Sequence, residues 1–440
     1  MIEIMEEKWS GMMKRKVVYK SCLIFAFVLC FCGLIYVSYS YIDNQVPNII
    51  HLVVGEEEEF DFSLPIEADL VKEDLSVINV NQGNKVNAEN IHFNFNEPFT
   101  MESTNLGEYK IALKLFGLIN FKTITVNVIN EMEVIPSGAS IGVYIEADGV
   151  MVLGTSPITG EDGQNYEPAL NVLKSGDYIT AINGQKVEYK EELITKIQEN
   201  KEGKLTFDVR RDSQSMKVSL NAVKSADGDY KIGTWIRDNT QGIGTLTYVG
   251  LNGNFGALGH GITDVDTNLL MEIDKGTLYN AKVLDIVRGQ NGTPGEIVGM
   301  IKTGNGNNIG EIFKNTNQGI FGTINNTNYN INNKKAVPIG LKQEIELGKA
   351  TILCSVEGEI KEYEIEIEKI QMNNKKKNKG LVIKITDERL LNVTNGIVQG
   401  MSGSPILQNG KIIGAVTHVF IQDSTRGYGT FIENMLNSAQ

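Results

Sequence analysis

The chain opens on a long uncharged block. From Ser21 to Ile42 no residue carries a charge, and the centre reads Cys22-Leu-Ile-Phe-Ala-Phe-Val-Leu-Cys-Phe-Cys-Gly-Leu-Ile-Tyr-Val37. Wound as a helix, these 22 residues reach about 33 Å, enough to cross a hydrocarbon core. Beyond it the period shortens to two. Phe121-Lys-Thr-Ile-Thr-Val-Asn-Val128 alternates cleanly, and Ile49–Val54 and Tyr109–Leu115 are strand-like, with Gly55 and Gly107 as punctuation. The pattern predicts a small β-sandwich over 43–133. A helical run follows at Lys190–Glu199, with Leu193, Ile194 and Ile197 on one face, and then strands at Lys204–Arg210 and Met216–Leu220. From about Asp227 the chain is rich in Gly and Asn with short strands. Gly304–Lys335 reads as loop. Glu362–Ile370 and Leu381–Ile385 read as two strands joined by the loop Lys375-Lys-Lys-Asn-Lys379. Many short strands with little helical period predict a mainly β protein ending in an all-β barrel pair.

Length and charge narrow the picture. A chain of 440 residues holds two to four domains. A net charge of −13 with no basic stripe argues against nucleic acid as a partner. Lys14, Arg15, Lys16 and Lys20 precede the apolar block and Asp43 follows it, which places the N-terminus in the cytoplasm and the body outside. The block is long for a signal peptide and has no A-x-A site, so a retained anchor at 21–42 behind a tail at 1–20 is expected. Cys22, Cys30 and Cys32 lie in the block, leaving Cys354 alone, so the body forms no internal disulfide. No Cys/His spacing suits a metal, and no cofactor motif is present. The four histidines are His51, His92, His260 and His418; the first two flank apolar residues and read as structural.

After Pro136-Ser-Gly138 comes Leu173-Lys-Ser-Gly176-Asp177-Tyr-Ile179-Thr-Ala-Ile182-Asn183-Gly184-Gln-Lys-Val187. This order resembles a PDZ domain, assigned to 134–225. Such domains add an extended peptide to a sheet edge and hold its carboxylate in a backbone nest. Ser140, Ile141, Gly142 and Val143 are the expected peptide-binding loop.

The candidate chemistry centres on Gly400-Met-Ser402-Gly-Ser-Pro405, followed by a strand, an Asn409-Gly410 hairpin and a second strand. Flanking glycines let the backbone turn sharply and expose the Ser402 hydroxyl, which needs a base to become a nucleophile. They also free amides for an oxyanion hole, expected at Gly400 and Ser402. The G-x-S-G-S-P order resembles the nucleophile segment of chymotrypsin-like proteases. The β context argues against the elbow of an α/β-hydrolase. His260, in Gly256-Ala-Leu-Gly-His-Gly261, is the expected base, with His418 on an apolar strand lining the pocket or serving structure. For the orienting acid, Asp264, Asp266, Asp285, Asp387 and Asp423 all remain open.

Domain order and motifs together resemble the stage IV sporulation protein B (SpoIVB) serine peptidase family. The residues that carry this are Gly256-Ala-Leu-Gly-His-Gly-Ile-Thr-Asp264, Ile397-Val-Gln-Gly-Met-Ser-Gly-Ser-Pro405 and Asn409-Gly-Lys-Ile-Ile-Gly-Ala-Val-Thr-His-Val-Phe420. The resemblance implies a peptidase domain at 226–440 with His260, Asp387 and Ser402 as the catalytic triad and no cofactor. It also implies a protein made in the forespore, with its body between the two membranes, that cleaves itself and a membrane-bound inhibitor of the sigma-K processing protease. An HtrA-like quality-control protease, a non-catalytic PDZ adaptor and an esterase are the alternatives.

Overall fold

The computed structural model describes residues 2–71, 78–82, 84–85, 92–200, 203–290, 292–304, 306–325, 329 and 335–439. It divides into two compact units, one of residues 1–130 with 371–374 and one of the remainder.

The first unit begins with helix α1, Ile2–Gln45. Its stretch Val18–Gln45 is a candidate membrane span by length and composition, and its apolar side chains, Phe25 and Phe27 among them, are exposed. Two sheets follow. Ile119–Ile129 pairs with Ile49–Val53 on one side and Gly107–Leu115 on the other, and Phe99–Ser103 joins Glu57–Phe60 to Ile78–Gln82. One core is built from both sheets, with Phe60 stacked on Phe99 and Phe95 tilted against it, so this is a β-sandwich. His51 is buried in its strand; the His92 side chain lies outside the described residues.

The second unit holds twelve barrel strands. Six form the first barrel: β1 (Ser140–Thr155), β2 (Thr234–Gly250), β3 (Asn254–Ala257), β4 (Lys275–Val287), β5 (Asn308–Thr316) and β6 (Gly319–Ile324). Their antiparallel pairings run β1-β2-β3-β6-β5-β4 and return to β1, so the sheet closes. The other six are β7 (Gly348–Cys354), β8 (Lys361–Ile370), β9 (Leu381–Ile385), β10 (Pro405–Gln408), β11 (Lys411–Phe420) and β12 (Asp423–Phe431). They close in the order β7-β8-β9-β12-β11-β10. Counted from its first strand, each barrel has the same order, 1-2-3-6-5-4. Closure leaves neither barrel an open edge, and inward side chains fill each one. Ile352, Ile383 and Ile406 are fully buried in the second, each worth about 1.5–3 kcal/mol on burial.

The PDZ-like module does not precede the first barrel; it is inserted in it. The first half of β1, Ser140–Glu146, pairs with Asn239–Thr245 of β2 inside the barrel. Past an irregularity, the second half pairs with Thr234–Arg237 of β2 and, through Val150 and Met151, with Tyr178–Ile182. Tyr178–Ile182 continues into Lys204–Arg211 and Gln214–Asn221. Helix α2, Lys190–Glu199, packs Leu193 and Ile197 into the module's own core with Ile179 and Phe207. The turn residues behave as the motif requires: Asn183 and Gly184 both have positive φ, and buried Asp177 accepts from Arg211 Nε at 2.6 Å and from the Lys174 amide.

Two expectations change here. Ser140, Ile141, Gly142 and Val143 are not a loop: they lie in β1, all four paired with β2 and Ile141–Val143 with β4 as well. The Ser140 amide donates to Ser355 Oγ, and a Cβ added at Gly142 would meet Ile301 at 2.5 Å, so no peptide can add there. The groove of the module is instead a cavity of about 700 Å³ between Ser156–Thr159, α2 and Thr234–Ile236. Second, Gly304–Lys335 carries the β5–β6 hairpin, because Asn and Gly residues are accommodated in paired strands once their neighbours Ile309, Ile312, Ile320 and Phe321 are buried. Strands β8 and β9 pair across the lysine-rich loop as expected.

Candidate active site

The glycine turn of Ser402 lies between β9 and β10, in the second barrel. Gly400 and Gly403 have φ of 98° and 97°, a region closed to most side chains. Space closes it further at Gly403, where a Cβ would stand 2.1 Å from the Thr245 carbonyl. Thr245, on β2 of the first barrel, holds the turn: its amide donates to Ser402 O at 3.0 Å and its hydroxyl to Gly400 O at 2.7 Å. The Gly403 amide donates to Val416 O on β11 and the Ser404 amide to Met401 O within the turn. The Gly400 and Ser402 amides donate to no protein acceptor among the described residues, as an oxyanion hole requires.

His260 follows β3 of the first barrel. Leu258 before it adopts φ 70°, a strained conformation for a bulky residue, and Gly259 lets the chain pass Thr417 closely. Nδ1 of His260 lies 2.9 Å from Gly261 O. A carbonyl only accepts, so Nδ1 carries the hydrogen and Nε2 is left as the basic nitrogen. Burial lowers the His260 pKa from 6.5.

Both residues line one cavity of about 500 Å³ at the junction of the barrels, together with Val143, Asn317 and His418. The His418 ring, on β11, is centred 5.0 Å from that of His260. Its Nδ1 is buried without a hydrogen-bond partner. Burial, then the charges of His260 and Lys379, hold its pKa down to about 4. The Ser402 hydroxyl donates to Thr417 O at 2.6 Å.

Asp387 is not brought to this cavity. It caps helix α3, Glu388–Thr394, by accepting from the Arg389 amide. Its oxygens also bind Arg389 Nε at 3.0 Å, an Arg389 terminal nitrogen at 2.6 Å and the Glu364 amide at 3.2 Å. The Arg389 guanidinium holds the carboxyl at about 2. Strand register gives the separation: His418 and Val382 both pair with Tyr428, and Asp387 lies five residues beyond Val382. At about 3.3 Å per residue this is roughly 15 Å along the strands, far outside hydrogen-bond reach. The other acids are engaged too. Asp264 and Asp266 bind Arg237, Asp285 caps its own neighbour's amide, and Asp423 binds Arg426 and Thr425. Sequence reading missed Thr245 and Thr417, whose contributions are backbone contacts that only the fold creates.

A serine on a glycine turn with two free amides, lining one cavity with a buried imidazole whose Nε2 is bare, has the groups that peptide hydrolysis by a serine needs. Residues 228–436 match the family model described as SpoIVB peptidase S55. This part of the chain is a serine peptidase domain. No curated protein matches the chain. Solved structures are similar to parts of it, three of which follow. A PDZ domain of an SdrC-like protein from Listeria monocytogenes is 24% identical over 20% of this chain and 87% of that one, with a TM-score of 0.17. The active form of the Rv3671c protease from M. tuberculosis is 12% identical over 46% of this chain and 74% of that one, with a TM-score of 0.25. The HtrA-type protease AlgW, solved with a decapeptide, is 10% identical over 69% of this chain and 64% of that one, with a TM-score of 0.28.

Proposed function

We propose that the protein is a membrane-anchored serine endopeptidase in which Ser402 is the nucleophile and His260 the general base. The observation that carries this reading is one cavity lined by Ser402 and His260 with the Gly400 and Ser402 amides unspent beside them. The reaction needs Ser402 Oγ to leave Thr417 O and turn to Nε2 of His260, which takes its proton as the hydroxyl attacks a peptide carbonyl. The two amides then hold the oxyanion, and the imidazolium returns the proton to the leaving amine. The acid assigned from sequence, Asp387, is set aside because Arg389 and two backbone amides occupy it.

The family name supports a role in sporulation signalling. In that role the protein spans the forespore membrane once through Val18–Gln45, cleaves itself and cleaves a membrane-bound inhibitor of the sigma-K processing protease. The test is full-length protein in detergent, wild type against Ser402→Ala, followed by gel and intact mass. Wild type fragments and the variant stays whole, with cleavage lower by at least about 10⁴-fold. Equal fragmentation of both would remove Ser402 from the mechanism.

A further inference from the structure

In the sandwich, the turn that joins Gly107–Leu115 to Ile119–Ile129 carries residues unsuited to water. The Leu118 amide donates to Leu115 O at 3.1 Å, and the two residues between them, Phe116 and Gly117, have φ of 52° and 70°. A tight turn with two positive φ values is ordinarily Asn-Gly or Asp-Gly. Here a phenylalanine takes the left-handed position, at a steric cost that its 63% exposed ring does not recover from packing. Leu118 is 86% and Ile119 61% exposed. All three side chains stand clear of the sandwich core, at a hairpin tip where polar residues are the rule.

The place of this turn beside α1 says what covers it. Phe121 meets Tyr39 edge-on, with ring centroids 5.1 Å apart. Lys122 Nζ binds Asp43 Oδ1 at 2.8 Å and Val46 O at 2.7 Å, and Thr125 pairs in parallel with Ile49. The strand from Ile119 thus runs in the same direction as the chain leaving the helix. Following it back from Phe121 follows the helix back from Tyr39, into the span. Two residues of strand are about 6.6 Å, the rise of roughly four to five residues of helix. Ile119 therefore comes level with about Leu34 or Ile35, at most about 10 Å inside Ile42, where the uncharged segment ends. Ile119 also shares a strand face with Phe121, since side chains alternate.

We propose that the Phe116–Ile119 turn is a second membrane contact, dipping into the leaflet next to the sandwich and fixing that domain on the bilayer; this rests on the membrane span proposed above. Lipid is the occupant because the patch continues the apolar surface of α1, whose Leu34, Ile35 and Tyr36 are exposed as well. The charges near the turn stand to one side. Lys114 binds Asp69 at 2.8 Å, and Glu67 lies against Gly117. Both acids belong to Ile66–Val71, which flanks the hairpin on the side opposite Ile49–Val53. Long side chains there reach the headgroups while the apolar tip goes deeper.

The test uses the full-length chain carrying Ser402→Ala, to keep it whole, in phosphatidylcholine–phosphatidylglycerol vesicles. Cys22, Cys30 and Cys32 are replaced by Ala, and Cys354 stays because it is buried. An environment-sensitive dye is attached to one introduced cysteine at a time, and lipids with doxyl-labelled acyl chains quench it. At Leu118→Cys the quencher lowers emission about threefold, as it does at Phe27→Cys within the span. Leu106 is also exposed but lies at the opposite end of the Gly107–Leu115 strand, and emission at Leu106→Cys stays within about 1.2-fold. Phe116→Asn with Leu118→Ser, which suit the turn to water, lowers the quenching at Ile119→Cys at least about twofold. The inference is overturned if Leu118→Cys is not quenched while Phe27→Cys is; a blue-shifted but unquenched dye would mean that a second copy or another protein covers the turn. Equal quenching at Leu118 and Leu106, or no change at Ile119 in the polar variant, overturns it too. An unquenched dye at Phe27→Cys removes the span itself, and the inference with it.

Discussion

A histidine that cannot easily take a proton inside the fold makes stability depend on pH. The unfolded His418 binds a proton near 6.5, the folded one only near about 4. Between those values the unfolded chain holds more protons, so stability is full above 6.5 and falls as pH drops toward about 4. His260 acts in the same direction, since burial lowers its pKa too. Replacing His418 with Gln removes one of these two proton-linked losses. The melting temperature of wild type therefore falls more steeply between pH 6.5 and 4.5 than that of His418→Gln; parallel curves would mean that His418 is not shifted.

Helix α3 gives Asp387, the acid expected from the resemblance, a capping contact. Asp387 ends a strand fifteen residues before Ser402, as a triad acid might. Yet Asp-Glu-Arg389 is also a helix start, with an N-cap aspartate and an arginine within reach of it. Asp387→Ala removes the cap and leaves Arg389 and the Glu364 amide without their acceptor. A loss of about 1–2 kcal/mol is expected in urea unfolding of the full chain, with Asn at the same site costing less because it still caps. An Ala variant as stable as wild type would contradict the cap. Helix α2 and the Ser402 turn were legible because their signals are local: apolar spacing in one, glycines at positive φ in the other. The β8–β9 hairpin was legible for the same reason. Position in three dimensions was not. Ser140–Val143 sits near the sequence of the PDZ-like module, but its backbone partners are Gly242–Thr245 and Leu278–Asn280, more than ninety residues on. The place of Asp387 away from the cavity was not legible either, since spacing along a chain says nothing about which end of a strand faces the neighbouring barrel.

Insertion of the PDZ-like module within the first barrel gives the second unit a continuity that a linker would lack. Strands β1 and β2 each belong to both parts, and the loop that follows His260 is fastened to the module side of β2. Arg237, opposite Met151, binds buried Asp264 and, at 2.8 Å, Asp266. Asp264 in turn caps the Asp266 and Thr267 amides, shaping the loop. From the module itself, Arg210 binds Glu272 at 2.8 Å, Tyr178 accepts from the Glu272 amide, and Leu269 fills the space beside Gly176. Arg237→Ala would strand the Asp264 carboxylate in a buried site, at a local cost of about 3 kcal/mol. The loop carrying His260 would open more often, although Arg237 does not line the cavity. Amide exchange over 261–271 should accelerate on the order of 100-fold, and fluorophosphonate labelling of Ser402 should slow with it. Adding Asp264→Asn, which removes the uncompensated charge and keeps hydrogen-bonding groups, should restore part of both. If exchange rises while labelling does not change, the histidine is held by its own barrel alone. If both move together, the geometry of Ser402 and His260 depends on a strand shared with the PDZ-like module, and a ligand in the groove beside Thr234–Ile236 would press on that same strand.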